Sequence, residues 1–203
     1  MLKRFENLHG ALKPGERRLV QRSQKGLYAN LGEDLPDEET TRTVVRASLI
    51  RWLLLNYSAT ASFGEVLRLR GAFIEGKLDL DGLCVTIPVA FVKCRFTQPV
   101  SVRGTEFKHS VGFSECAMTS LFGQGLSVDG DLAFIKVQTC GTVNLLNARI
   151  SASLKCAGSQ FDGQGKKALI ASGTEINSVV QLTKEFSAKG GVIFSIGKNR
   201  RFV

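Results

Sequence analysis

Apolar residues recur along most of this chain with a period that belongs neither to an amphipathic helix nor to a single alternating strand. From Leu67 onward they fall as h-x-h-x-x-s-x-h followed by three further residues, where h is apolar and s is small or medium. The first unit is Leu67, Leu69, Ala72 and Ile74, and the second is Leu78, Leu80, Leu83 and Val85. The same eleven-residue step continues through Val89, Phe91, Cys94 and Phe96, then Val100, Val102, Thr105 and Phe107, then Val111, Phe113, Cys116 and Met118. The phase moves by one residue at Leu121, Gly123, Leu126 and Val128. It resumes at Leu132, Phe134 and Val137, at Val143, Leu145, Ala148 and Ile150, and at Leu154, Cys156, Ser159 and Phe161. Residues 162–168 interrupt the pattern and read as an inserted loop, after which Leu169, Ala171, Thr174 and Ile176 re-enter it, followed by Val180 and Leu182. Leu67 to Val85 also aligns without gaps on Val143 to Phe161.

Each such unit divides into a step of five and a step of six. An alternating apolar pair within each step suits a very short strand with inward side chains, and Gly, Pro, Asn and Asp gather near the turns. Two units make one four-sided coil of about 22 residues, and stacked coils bury a continuous core. The pattern predicts a mainly β fold, a right-handed, single-stranded parallel β-helix of about six coils over residues 63–203. Residues 1–62 read as a short helical N-terminal cap. Pro14 opens one helix, and Asp37-Glu-Glu-Thr-Thr41, acidic as suits a helix N-terminus, opens a second. Val45, Leu49, Trp52 and Leu53 share a helical face that would cover the first coil and shield its strand edges. Gly190-Gly-Val-Ile-Phe-Ser-Ile196 begins another unit with no helix after it, so self-association through the C-terminal coil is an expectation.

Composition narrows the picture. The sequence is 43% hydrophobic and 22% charged, a balance that allows a buried core. Its 13 Phe against two Tyr and one Trp favour interior packing over recognition at a wet surface. The net charge of +9 sits at the ends. Residues 1–30 hold seven Lys/Arg against Glu6 and Glu16, residues 184–203 hold five against Glu185, and the rest cancels. Arg17, Arg18, Arg22, Lys198, Arg200 and Arg201 are therefore the candidate anion-contacting residues, toward a membrane surface or nucleic acid, against the plainer reading of solvated terminal charge.

Candidate chemistry is sparse. Cys84, Cys94, Cys116, Cys140 and Cys156 form no CxxC pair, and only His9 and His109 accompany them, so the spacing of a metal site is absent. An odd thiol count without a signal segment points to reduced cysteines in the cytoplasm, with a position at the periphery of the inner membrane face as the alternative. The run from Leu49 to Leu55 is broken by Arg51 and is too short to span a bilayer. Cys94, Cys116 and Cys156 fall on inward positions as small core residues, whereas Cys84 and Cys140 fall outside that pattern and are the better candidates for reactive thiols. His109, in a turn, reads as a surface residue rather than a general base. Gly163-Gln-Gly-Lys-Lys167 lacks the earlier glycine and the Ser/Thr of a phosphate loop, and no GxGxxG opens a helix, so no cofactor is predicted. Asp79 and Asp81, with Asp129 and Asp131, read as outward, solvated pairs. A glycan-active groove is the competing reading.

Several units place a small residue two positions before a large one: Ala72/Ile74, Cys94/Phe96, Thr105/Phe107, Ala148/Ile150 and Ser159/Phe161. In this the chain resembles the pentapeptide-repeat proteins, departing from them in its alternating sixth residue. From about Thr43 onward, through segments such as Leu69-Arg-Gly-Ala-Phe-Ile-Glu-Gly-Lys-Leu-Asp-Leu80, it is similar to bacterial β-helical proteins of unknown activity, some labelled membrane-associated oxidoreductase. The resemblance implies an architecture rather than a chemistry. Some pentapeptide-repeat proteins mimic duplex DNA, which needs an acidic surface; this neutral body with basic ends does not supply one. Three functions follow as expectations: a non-catalytic interaction or scaffold protein with a protein partner, a redox or carbohydrate-active enzyme, and an anion-binding protein acting through its basic termini.

Overall fold

The computed structural model describes residues 2–60, 66–196 and 201–202. Its body is a parallel β-solenoid. Each strand pairs in register with its counterpart one coil away: Leu67 with Val89, Val89 with Val111, Val111 with Leu132, and Leu132 with Leu154. Each step is two units of the sequence repeat, except that the one from Val111 to Leu132 is a single residue shorter. That change of phase lies in one turn. Thr97-Gln98-Pro99 links the second face to the third in one coil, and Thr119-Ser120 makes the same link in the next. The loop at 162–168 lengthens one coil, so Val143 pairs with Leu169, beyond the position an ordinary coil would reach.

The coil has four sides. The first face stacks the longest strands of most coils, Leu67–Arg70, Val89–Val92, Val111–Ser114 and Leu132–Ile135, followed by Leu154–Lys155 and Val179–Gln181. The second face runs from Phe73–Glu75 to Ser187–Lys189. The third and fourth faces merge into one sheet where strand Leu169–Ile176 is long enough to serve both. Alternation sets the burial: in Val89–Val92 and Val111–Ser114 the first and third residues are buried, and the second and fourth lie on the outer side.

Two of the four corners require left-handed backbone. Gly71, Lys93, Glu115, Lys136, Gly158 and Lys184 stack between the first and second faces, all with φ between 49° and 68°. Each of the first five still donates its N–H to the next coil, as Lys93 does to the Ser114 carbonyl at 2.8 Å, so the ladder runs unbroken round the bend. Glycine adopts this conformation without cost, whereas it costs other residues roughly 1–2 kcal/mol.

Inside, Phe91, Phe113 and Phe134 stack nearly parallel, with centroids 5.4 and 5.6 Å apart. Phe96 meets Phe91 edge-on from the second face, and Phe161 meets Phe134 in the same way. The small inward residues after the corners satisfy their polar atoms on the preceding coil. Thr105 Oγ1 donates to the Leu80 carbonyl at 2.8 Å, Ser159 Oγ to Phe134 at 2.8 Å, and Thr174 Oγ1 to Leu145 at 2.7 Å. Cys94 and Cys116 make the longer sulfur version of the same bond, to Leu69 and Phe91. These buried hydroxyls are thus paired, as a dry core requires.

The N-terminal segment is more interwoven with the solenoid than a helical cap alone. Helices α1 (Leu2–His9), α2 (Pro14–Ser23) and α3 (Ala47–Thr60) are joined by two short strands, β1 (Ala29–Asn30) and β2 (Val44–Arg46). β1 extends the first face beside Leu67–Arg70, and β2 extends the second beside Phe73–Glu75. The helix expected from Asp37 does not form there. Asp37–Thr41 is instead part of a strap that follows β1, and Val45 belongs to β2 rather than to a helix. Three of the strap's acids are held by coil cations: Glu33 by Arg70 at 3.1 Å, Asp34 by Lys93 at 3.6 Å, and Asp37 by Arg95 at 2.7 Å. Leu49 and Leu53 of α3 are buried, and Trp52 packs at the edge of the same core. The boundary near residue 62 lies outside the described residues.

Candidate functional site

The carboxylates that invite a catalytic reading are occupied by neighbouring groups. Asp79 Oδ2 accepts from Lys77 Nζ at 2.8 Å and Oδ1 from the Asp81 N–H, and Arg51 lies 3.7 Å away. The Lys77 bond is the main influence holding the Asp79 carboxyl below its ordinary range. Asp81 accepts from Ser101 Oγ and the Arg103 N–H, one coil on. Asp131 takes Lys155 Nζ at 2.6 Å and the Ser153 N–H at 2.9 Å; burial pushes its carboxyl up, but these partners outweigh it and the group sits low. Asp129 accepts from Ser151 Oγ at 3.1 Å. A glycosidase acid needs the opposite tuning, a carboxyl raised so that it holds its proton. Asp81, Asp129 and Asp131 instead tie one coil to the next, and Asp79 holds its own turn and α3.

The thiols divide as their positions in the repeat imply. Cys94, Cys116 and Cys156 are buried, and Cys84 and Cys140 are exposed, Cys84 on the fourth face and Cys140 in the turn that follows the second. Burial pushes the Cys156 thiol to about 12 and the Cys94 thiol well above its usual value, so neither supplies a thiolate near neutral pH. His109 is exposed in the turn before Val111. In the Gly163–Lys167 turn three backbone donors are engaged within the protein: Gly163 N–H goes to the Lys189 carbonyl, Gln164 N–H to Asp162 and Lys166 N–H to Gly163. These three are not available to cradle a phosphate.

Two surfaces stand out. The outer side of the first face carries Ala90, Val92, Gly112, Ser114, Ala133 and Ile135 over three successive coils, a flat strip without charge. Arg68 and Arg70 lie at one end of it and Lys155 at the other. The signal for this strip was present in the repeat itself: its residues alternate with the inward pairs Val89/Phe91, Val111/Phe113 and Leu132/Phe134 and recur one coil apart. The fourth face, by contrast, mixes Glu106, Lys108, Asp129, Arg149 and Glu175.

No known protein family, curated protein or solved structure matches the chain.

The second surface is α2. Gly15, Glu16, Leu19, Val20 and Ser23 are its buried side. Arg17, Arg18, Gln21 and Lys25, just beyond the helix, are exposed, and Arg22 is half-buried. Arg17 Nη1 donates to the Leu12 carbonyl at 2.7 Å and Arg22 Nε to the Tyr28 carbonyl at 3.1 Å, which fixes both side chains to the cap. Of the other candidate anion contacts, Lys198 and Arg200 lie outside the described residues. The backbone of Arg201 pairs with Val179, and its side chain lies outside what is described. Among the described residues no helix is long and apolar enough to cross a membrane.

Proposed function

We propose that this chain is a non-catalytic scaffold whose solenoid offers the uncharged outer strip of its first face to a protein partner. The observation that carries the reading is the contrast with the fourth face. There, outward Glu106, Lys108, Asp129, Arg149 and Glu175 are interleaved, and Arg149 lies 3.7 Å from Glu175 one coil on, which favours solvation. Ala90, Val92, Gly112, Ser114, Ala133 and Ile135 instead form an uncharged surface flat enough for close apposition. The stacking of rigid coils favours the same reading, because it holds such a strip flat without help from a ligand. The small-then-large inward pairs, Cys94/Phe96 and Ser159/Phe161 among them, support placing the chain beside pentapeptide-repeat-like β-helical proteins of bacterial type. Five cysteines with no disulfide among them support a cytoplasmic setting.

The test is affinity capture of the full-length tagged chain from its native cells after nuclease treatment. Three forms are compared: wild type, Gly112→Arg/Ala133→Arg on the first face, and Glu106→Arg on the fourth. The reading requires one stoichiometric protein that stays with wild type and Glu106→Arg and is lost from the first-face variant. A partner retained equally by all three, or a preparation bringing no protein, overturns it.

A further inference from the structure

The charge of the N-terminal cap is one-sided in a way that the sequence alone does not show. Residues 2–30 contain two acids, and neither is fully exposed: Glu6 is half-buried and its Oε1 accepts the Leu12 N–H at 3.4 Å, and Glu16 is fully buried against Arg46. Lys13 is neutralised by Glu75 at 2.7 Å and Glu39 at 3.5 Å. What faces solvent from α1 and α2 is therefore cationic: Lys3, Arg4, Arg17, Arg18 and, just past α2, Lys25. Of the strap's five acids, Glu33, Asp34 and Asp37 are engaged by Arg70, Lys93 and Arg95 and Glu39 by Lys13, which leaves the exposed Glu38 outside these pairs.

Large apolar side chains are exposed in the same segment. Leu8 is 70% exposed, one helical turn after Arg4 and next to the buried Phe5 on the surface of α1. Leu27 and Tyr28, which follow α2, are 43% and 42% exposed. Cations alone would suit any polyanion. Exposed leucines beside them gain nothing from a phosphodiester backbone, but they do gain by entering the boundary between lipid headgroups and acyl chains.

We propose that the outer sides of α1 and α2 dock on an anionic phospholipid bilayer, with Arg4, Arg17, Arg18 and Lys25 at the headgroups and Leu8 and Leu27 inserted beneath them.

The experiment is vesicle flotation of the full chain. Vesicles of phosphatidylcholine alone are compared with vesicles containing about one-third phosphatidylserine, whose surface attracts each nearby basic residue appreciably. Arg18→Glu/Lys25→Glu changes two exposed residues and should weaken binding to the anionic vesicles by about tenfold or more at an unchanged thermal midpoint. Arg18→Gln/Lys25→Gln is the milder variant should the reversal disturb folding. Leu8→Ser should weaken vesicle binding several-fold, by about the contribution of one inserted aliphatic side chain, and leave any binding to duplex DNA unchanged. Equal binding to both vesicle types overturns the proposal, as does full binding by the folded charge variants. Binding to duplex DNA without binding to vesicles also overturns it and reassigns the surface to nucleic acid. Partner capture by Arg18→Glu/Lys25→Glu should be intact, so failure here is distinguishable from failure of the scaffold reading.

Discussion

Glu16 and Arg46 form a two-bond, side-on pair at the base of the cap: Oε1 accepts Nε at 2.7 Å and Oε2 accepts Nη2 at 2.6 Å. Glu16 also accepts the Arg46 and Lys13 N–H groups, and Arg46 donates to the carbonyls of His9 and Ala11. One buried carboxylate therefore joins the loop after α1, the start of α2 and the strand β2. Removing one partner of such a pair leaves the other uncompensated, so Glu16→Gln should destabilise the cap by about 3 kcal/mol, read by chemical denaturation. Burial raises the Glu16 carboxyl, but its Arg46 and backbone partners prevail, and the group ends below its ordinary value of 4.5. Its stabilising contribution is complete above that value and is lost as pH falls through the lowered folded-state pKa. Wild type should lose stability on acidification below about pH 5, and Glu16→Gln should lose measurably less over the same range.

The stacked rings predict where the body is most sensitive. Phe113 lies between Phe91 and Phe134. Phe113→Ala therefore leaves a cavity with rings on both sides and should cost about 3–5 kcal/mol. Phe186, half-buried and packed edge-on against Phe161, should cost clearly less when truncated. Urea denaturation of the two alanine variants measures the difference.

The left-handed corners predict substitutions of opposite sign. Glu115 sits at one of them with φ 52°. Glu115→Gly should stabilise by about 0.5–1 kcal/mol, the relief of left-handed strain less the added chain entropy. Gly71→Ala should destabilise strongly, because the new Cβ would lie 2.2 Å from the Gly32 carbonyl oxygen, which is backbone. Thermal midpoints of the two variants should move in opposite directions.

Thiol labelling reads burial directly. Cys84 and Cys140 should react with an aromatic disulfide reagent in the native protein, and Cys94, Cys116 and Cys156 only after denaturation. Five fast thiols in the native state would contradict the inward ladder.

The repeat was legible because each coil states the same inward pattern, and even the shortened turn at Thr119-Ser120 shows as a slip of one residue. The buried and exposed cysteines follow from that register. The N-terminal strands were not legible. Ala29–Asn30 and Val44–Arg46 pair with strands far along the chain, at Leu69 and Phe73, and are too short to show a period of their own. The acids at Asp37–Glu39 resemble the first turn of a helix, yet Pro36 precedes them, Arg95 binds both the Pro36 carbonyl and Asp37, and Lys13 lies 3.5 Å from Glu39. Long-range charge pairing overrode the local preference there. The cationic cap was half-legible: composition locates the basic residues, but only the burial of Glu16 against Arg46 shows how little negative charge α1 and α2 present beside them.

Both the uncharged strip and the coil-to-coil carboxylates depend on outward residues lining up one coil above another. The most direct test is a dipolar distance between spin labels at Arg68→Cys and Lys155→Cys in a background lacking Cys84 and Cys140. Register passes from Arg68 through Ala90, Gly112 and Ala133 to Lys155. Four strand spacings place the two Cα atoms about 19 Å apart. A narrow distribution centred near that value, broadened by the label arms, is the predicted result. A distribution centred far beyond the reach of the label arms, or one without a dominant distance, would contradict the stacked register and the interaction surface built on it.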